Sequence, residues 1–207
     1  MLIIGHLLRS SLLVVCAILL SSHAAGCSRK PEKDYSKQIA KGIKLVETRA
    51  YEESVVLFRR LCDEGSAHGC GHLGSLTLRG LGIERDVKKG IQYSEEACRK
   101  GAGIGCVSMG MAHLMGLGTK LDKAAAVAMF QRACGLKSDE GCVRLGRAFF
   151  LGEGIEKNVK KAVELMEGAC KRGDGNGCYV LGQMFEQGKG VDKDNSRAAR
   201  NYKRGCE

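Results

Sequence analysis

The sequence contains no tryptophan and a single proline, and aromatic residues make up only 5% of its 207 positions. Because aromatic rings contribute much of the buried area of most cores, their scarcity argues against one large hydrophobic core. Glycine is abundant instead, with 29 residues, and it permits tight turns and close contacts between helices. We therefore expect a modular architecture built from small units.

The sequence also lacks the common catalytic and phosphate-binding motifs. It contains no S-x-x-K, G-x-S-x-G or H-E-x-x-H, and none of its glycine-rich loops ends in G-K-[ST]. Its cysteines form no closely spaced pair of the kind that binds zinc, and no third potential ligand recurs near His68 and His72. We therefore predict no catalytic residue, no cofactor, no cofactor-binding residue and no metal ligand.

The first 26 residues have the pattern of an export signal peptide. Arg9 supplies a positive charge, residues 12–20 form an uninterrupted apolar run, and small residues follow in the stretch SSHAAGC. The run is too short to span a bilayer stably. Export separates the chain from nucleic acid, so its basic balance, 33 Lys and Arg against 23 Asp and Glu, does not predict nucleic-acid binding.

The stretch AAGCS resembles a bacterial lipobox, in which the cysteine becomes the lipidated first residue of the mature protein. This resemblance implies a lipid anchor on Cys27, and Ser28 after it is compatible with sorting to the outer membrane. Residues 27–33 are polar and are interpreted as a tether. The expected location is the bacterial outer membrane or periplasm. The alternative is ordinary signal cleavage near Ala24 or Ala25, which yields a soluble secreted protein.

Cysteines recur along the chain with a period of 36 residues. One series occupies positions 62, 98, 134, 170 and 206, and a second occupies positions 70, 106, 142 and 178. The same period separates the loops GLGIERD, GLGTKLD, GEGIEKN and GKGVDKD, and it separates Gly74, Gly110, Gly146 and Gly182. Periods of this size are typical of stacked helical hairpins.

Each repeat contains two predicted helices. The first begins at the second cysteine and has apolar residues on one face, as in Cys142, Leu145 and Phe149. It ends at the G-x-G loop, where glycine adopts the left-handed conformation that terminates helices. The second helix follows a residue whose short side chain can cap it, namely Asp86, Asp122, Asn158 or Asp194.

The pattern predicts ten helices in five hairpins. Residues 34–66 form an N-terminal hairpin in the manner of a tetratricopeptide unit, with a shorter connection and no G-x-G loop. Four repeats follow at residues 67–102, 103–138, 139–174 and 175–207.

The pattern GCxxLGxxxxxGxGxxxD, followed by a helix that ends in AC, resembles the Sel1-like repeat. The paired cysteines with their 36-residue step are similar to the Helicobacter cysteine-rich protein branch of that family. The resemblance covers about residues 34–207. It implies an all-α fold, a right-handed α/α solenoid of five antiparallel helix hairpins.

The repeated cysteines are expected to form disulfides, because an exported chain meets an oxidising compartment. Two pairings satisfy the spacing: one joins cysteines eight residues apart, and the other joins Cys70 to Cys98 and so on to Cys178 with Cys206. The family resemblance favours the first pairing, which leaves Cys206 as a free thiol that we expect to link some chains into dimers. The bonds of that pairing are Cys62–Cys70, Cys98–Cys106, Cys134–Cys142 and Cys170–Cys178.

A stacked solenoid favours a role as a protein-interaction scaffold. The first helices of such repeats line a concave surface that binds proteins or extended peptides. The predicted contacts are residues that vary between repeats on that face: Ser75, Met111, Arg147 and Gln183. An anionic component of the cell envelope is a further candidate partner, since several basic residues lie at helix N-termini, where the helix dipole disfavours them: Lys88, Lys89, Lys160, Lys161 and Arg197.

The alternative function comes from the resemblance alone. Some cysteine-rich relatives are described as penicillin-binding proteins with weak β-lactamase activity, which implies β-lactam hydrolysis. The serine-enzyme motifs for that reaction are missing here. We therefore favour a binding protein over an enzyme.

The lipobox pattern generates a first testable prediction, that Cys27 is acylated. The intact mass of the protein extracted from membranes is expected to exceed that of residues 27–207 by the mass of a lipid modification. Cys27→Ser is the control, and it is expected to leave the membrane fraction. An unmodified N-terminus at Ala25 or Gly26 would show that ordinary signal cleavage operates instead.

Overall fold

A computed structural model of the protein describes residues 33–206, which contain ten α-helices and no strand. The predicted all-α fold with ten helices is confirmed. The predicted signal peptide and Cys27 lie outside the described residues. The helices are α1 (Ser36–Glu47), α2 (Tyr51–Asp63), α3 (Ala67–Arg79), α4 (Val87–Arg99), α5 (Gly103–Met115), α6 (Lys123–Gly135), α7 (Asp139–Leu151), α8 (Val159–Lys171), α9 (Gly175–Gln187) and α10 (Asn195–Cys206).

The second helix of each repeat begins at the capping residue that the sequence predicts. The side chain of Asp86 accepts a hydrogen bond from the Lys89 N–H at 2.9 Å. Asp122, Asn158 and Asp194 accept equivalent bonds at 2.8, 3.0 and 2.8 Å. Each bond satisfies a backbone donor that has no partner inside the helix.

The first helix of each repeat ends at a glycine with positive φ. Gly80, Gly116, Gly152 and Gly188 have φ between 62° and 74°, the left-handed conformation that residues with a Cβ adopt at a cost. The N-terminal hairpin differs, because only Thr48, Arg49 and Ala50 separate α1 from α2, and Arg49 itself has a φ of 62°. Its shorter connection is therefore confirmed.

The helices stack so that each one packs against the next in the chain. In addition, α3 contacts α5, α5 contacts α7, and α7 contacts α9, whereas among the described second helices only α8 and α10 contact one another to a similar extent as α7 and α9. From α3 to α7 the first helices thus lie closer together than the second helices, as on the inner side of a curved stack. This arrangement places α3, α5, α7 and α9 on one continuous surface.

Glycine brings the two helices of each repeat into close contact. A Cβ added at Gly110 would lie 2.4 Å from the ring of Phe130, and one added at Gly182 would lie 2.7 Å from the ring of Tyr202. Gly74 faces Ser94 and Gly146 faces Met166 in the same way, at 2.5 and 2.7 Å. In all four repeats the residue that fills the space comes twenty positions after the glycine.

The core is divided into small clusters rather than concentrated in one. Five clusters of buried residues lie along the stack, and Phe58, Phe130, Leu61, Leu73 and Met166 are the largest completely buried side chains. The last helix, α10, buries only Ala198, which agrees with its strongly polar sequence. Such a thin core gains much from covalent links, since a disulfide that closes a short loop contributes about 2–3 kcal/mol.

The glycine contacts generate a prediction about the free energy of unfolding. Gly110→Ala places a methyl group against the Phe130 ring, so we expect it to destabilise the protein by about 1–3 kcal/mol in urea denaturation. Gly135→Ala is the matched control, because a Cβ there meets no atom within 4 Å. The control is expected to leave the stability unchanged or to raise it by up to about 1 kcal/mol. Equal effects of the two substitutions would contradict the packing account.

Candidate functional site

A groove runs across the first helices. It consists of a cavity of about 610 Å³ between α3, α5 and the start of α7, and a cavity of about 510 Å³ between α7 and α9. Glu140 and Arg144 line both cavities, so the two are continuous at α7. We refer to the two cavities together as the groove.

The four residues predicted as contacts all line the groove. Ser75 and Met111 lie in the larger cavity, and Arg147 and Gln183 lie in the smaller one. They come together because they occupy the same position of successive first helices, 36 residues apart, and these helices pack side by side.

Exposed apolar side chains in the groove were not anticipated from the sequence. Met115, Leu151 and Tyr179 retain 52%, 51% and 54% of their accessible surface, and all three line it. Met115 and Leu151 lie 36 residues apart at the ends of their helices, so the repeat register itself could have identified them. Covering such side chains with a ligand would remove apolar surface from water.

The charges that line the groove are mainly positive. They come from Arg79, Arg85, Arg144, Arg147, Glu140 and Asp174. Glu140 is paired with Arg144 at 3.1 Å, and Asp174 caps α9 by accepting a bond from the Gly177 N–H at 2.6 Å. Among the described residues, Arg79 and Arg147 have no ion-pair or hydrogen-bond partner for their side chains. Two guanidinium groups in the groove are therefore available to a ligand.

The chemistry of the groove is that of a binding surface. Hydroxyl groups are supplied by Ser75, Ser108 and Tyr179, but no histidine or lysine is among the described residues that line it to activate them. The lining combines apolar, guanidinium, carboxylate and amide groups, all of which can contact a bound ligand.

Four pairs of cysteines lie at disulfide distance, one at each junction between hairpins. They are Cys62–Cys70, Cys98–Cys106, Cys134–Cys142 and Cys170–Cys178, with Cα–Cα distances of 4.4, 4.7, 4.5 and 4.4 Å. Each pair joins the end of one second helix to the start of the next first helix. Cys206 is an exposed thiol, with no disulfide partner among the described residues.

A glycine precedes the second cysteine of every pair, and the structure gives the reason. A Cβ at Gly105 would lie 2.6 Å from the backbone nitrogen of Cys98, and one at Gly141 would lie 2.9 Å from that of Cys134. Gly69 and Gly177 approach the first cysteine of their pairs at 3.0 and 3.2 Å. The G-C dipeptide, present in all four repeats, is therefore a steric requirement of the junction that the sequence reasoning missed.

His72 is part of the core of the first junction rather than a metal ligand. Its ring stacks on Phe58 with centroids 4.5 Å apart, and burial, assisted by the charge of His68, lowers the pKa of His72 to about 4. The described residues contain no group of three side chains that could hold a metal ion.

Comparison with known proteins identifies the repeat. The profile of the Sel1 repeat matches residues 67–101, 104–138, 139–174 and 175–207. The chain belongs to the Sel1 repeat family. The resemblance noted in the sequence is confirmed, and no curated protein sequence matches the chain.

Solved Sel1 structures share the fold. A Sel1 repeat protein from Oxalobacter formigenes is 22% identical with a TM-score of 0.65, and the match covers 86% of this chain and 75% of that one. Cysteine-rich protein B of Helicobacter pylori is 27% identical with a TM-score of 0.50, and the match covers 72% of this chain and all of that one.

A further Sel1-like structure is longer than this chain. It is a protective antigen of uropathogenic Escherichia coli, 21% identical with a TM-score of 0.61. The match covers 82% of this chain but only 37% of the antigen.

The four disulfide pairs indicate an extracytoplasmic location, because disulfides persist in oxidising compartments. No helix within residues 33–206 is long and apolar enough to cross a bilayer.

The low pKa of His72 predicts a pH dependence of stability. An unfolded chain takes up a proton on His72 with a pKa near 6.5, whereas the folded protein does so only near 4. Neutral, buried His72 therefore makes its full contribution to the free energy of unfolding above pH 6.5. This contribution is lost as the pH falls through about 4, which lowers the free energy of unfolding by about 1–3 kcal/mol. We expect an NMR titration midpoint near 4 for the ring protons of His72.

The matched variants are His72→Gln and His68→Gln. The first removes this pH dependence from the urea unfolding curve, whereas the second retains most of it, because burial is the larger cause of the shift. A His72 midpoint near 6.5 would contradict the packing described above.

Proposed function

We propose that this Sel1 repeat protein works outside the cytoplasm as a scaffold that binds an extended segment of a partner protein in the groove. The observation that supports this proposal is the continuous lining across four first helices, where apolar side chains are exposed and two arginines have no partner within residues 33–206. Neighbouring helices lie about 10 Å apart. Four of them span about 30 Å, which corresponds to about nine residues of extended peptide.

The partner segment is expected to carry carboxylates and large apolar side chains. Arg79 and Arg147 lie in different halves of the groove, and each guanidinium can hold a carboxylate through two hydrogen bonds. Met115 and Leu151 provide apolar contacts, one in each half. A segment with both acidic and apolar side chains would match the arginine and the apolar side chain in each half of the groove.

The protein is also proposed to be attached to the cell envelope. Acylation of Cys27 would hold the scaffold at a membrane surface, with residues 27–33 as the tether, and secretion is the alternative if the signal is cleaved earlier. Exposed Cys206 would allow a second copy to be linked through a disulfide.

Hydrolysis of β-lactams is the less favoured alternative. Among the described lining residues, no histidine or lysine accompanies the hydroxyl groups, and the Glu140 carboxylate is paired with Arg144 at 3.1 Å. We therefore expect the purified protein to hydrolyse nitrocefin no faster than buffer. Hydrolysis that persists through purification to homogeneity would favour the enzyme.

The groove generates a prediction about peptide binding. In a fluorescence anisotropy screen of twelve-residue peptides, we expect the bound sequences to be enriched in Asp and Glu together with large apolar residues. Arg79→Glu combined with Arg147→Glu is expected to weaken the best peptide at least about tenfold, or about 1.4 kcal/mol.

Lys88→Glu combined with Lys160→Glu is the matched control, because it makes the same charge change at exposed positions that do not line the groove. This control is expected to retain peptide binding. Equal weakening by both double variants would reject the groove as the site. Binding to anionic phospholipid vesicles can be measured for both double variants. If only the Lys88→Glu, Lys160→Glu variant loses this binding, the basic N-termini of the second helices bind an anionic envelope component.

A further inference from the structure

The four cysteine junctions have different surroundings, although they repeat in sequence. At the Cys98–Cys106 junction, Arg132 donates a hydrogen bond from Nη2 to the Cys98 carbonyl at 3.1 Å. At the Cys170–Cys178 junction, Arg204 makes the same bond to the Cys170 carbonyl at 3.0 Å. In both cases the arginine lies 34 residues after the first cysteine and crosses from the next second helix. These two junctions are thus covered by a side chain from the following repeat.

The Cys134–Cys142 junction has no such cover. The residue 34 positions after Cys134 is Gly168, which has no side chain to reach back. A cavity of about 510 Å³ opens there instead, lined by Cys134, Lys137, Cys142, Glu164, Leu165, Gly168 and Arg172. Cys134 is partly exposed, whereas Cys142 retains only 4% of its accessible surface. The third pair can therefore be approached from solvent at the sulfur of Cys134.

A guanidinium group stands beside the less exposed sulfur. Arg172 Nη2 lies 3.8 Å from Cys142 Sγ, while its Nε forms an ion pair with Asp139. The ion pair offsets part of the charge but holds the guanidinium in place. Lys137 adds a second cation to the cavity and Glu164 an anion. A thiolate released at Cys142 would thus be stabilised by a neighbouring positive charge, which speeds its departure from a disulfide.

The first junction shares the exposure but not the cation contact. Cys62 is also partly exposed, and Lys100 occupies the position equivalent to Arg172, 38 residues after the first cysteine of its pair. Lys100 pairs with Glu96 at 2.7 Å, however, and within the described residues it makes no contact with the sulfur of Cys70 like that of Arg172 with Cys142. An exposed cysteine and a cation beside its partner's sulfur therefore coincide at the third junction.

The backbone at the third junction also differs from that at the other three junctions. Lys137 has a φ of 62°, whereas Gly65, Gly101 and Gly173 occupy the equivalent position in the other junctions. A residue with a Cβ is strained in the left-handed region, whereas glycine is not.

We propose that Cys134–Cys142 is a site of thiol–disulfide exchange with a small thiol, whereas the other three pairs are structural. The attacking thiolate bonds to Cys134 Sγ, the S–S bond breaks, and its electron pair leaves with Cys142 Sγ as a thiolate beside Arg172. A second thiolate then attacks the donor sulfur of the mixed disulfide and releases Cys134. Two thiols are oxidised to one disulfide, the protein pair is reduced, and protons exchange with solvent.

The test follows each pair separately under native conditions. The oxidised protein is incubated with glutathione or dithiothreitol for increasing times, quenched with acid and alkylated, and the reduced fraction of every pair is read by peptide mapping. We expect Cys134–Cys142 to be reduced on the order of tenfold faster than the two covered pairs. Thioredoxin in place of the small thiol shows whether a protein dithiol also reaches the cavity.

Substitutions copied from the protein's own repeats provide matched controls. Gly168→Arg restores the arginine found in two other junctions and is expected to slow the third pair to their rate. Gly168→Ala adds a Cβ whose nearest neighbour is Arg172 Nη1 at 3.4 Å, and it is expected to change the rate less than twofold. Arg132→Gly should conversely speed reduction of Cys98–Cys106, and Arg172→Gln should slow that of Cys134–Cys142 while leaving the cavity open.

Circular dichroism confirms that each variant is folded before the rates are compared. Reduction of all four pairs at one common rate would overturn the proposal, since it would reflect global unfolding. An unchanged rate for Cys134–Cys142 in folded Gly168→Arg would overturn it as well.

Discussion

The close approach of two backbones at every repeat junction is the constraint on which the rest of the structure depends. The second helix of one hairpin and the first helix of the next come so near that only glycine fits before the second cysteine. This approach places the cysteine Cα atoms 4.4–4.7 Å apart, at disulfide distance. A chain without tryptophan and with a divided core is thereby held together at each point where one hairpin meets its neighbour.

The same constraint determines where a ligand can bind. Because the junctions and the internal glycines set the spacing of the hairpins, the first helices pack side by side and present one surface. Residues at one position of the repeat then form a row along the groove. Positions devoted to packing are the same in every repeat, such as the glycines that face the second helix. Positions in the groove differ, from Ser75 to Met111, Arg147 and Gln183, and these differences give the groove its chemistry.

Departures from the repeat are as informative as the repeat itself. Gly168 and Lys137 both differ from their counterparts at the same junction, one by removing a covering side chain and the other by occupying a left-handed position without being glycine. Neither departure is visible when one repeat is considered alone. Both departures are recognised only when the residues at one position are compared among the four repeats.

Features that depend on local interactions could be predicted from the sequence. The 36-residue period, the ten helices, the capping residues such as Asp86 and the terminating glycines such as Gly80 could all be predicted, because they involve atoms only a few residues apart. Features that depend on contacts between repeats could be identified only from the three-dimensional packing. The spacing allowed two cysteine pairings, and the packing of one hairpin on the next brings Cys62 against Cys70. Packing between repeats likewise decided that Met115 and Leu151 line a groove and that Gly168 leaves a cavity beside Cys134, since neither follows from neighbours along the chain.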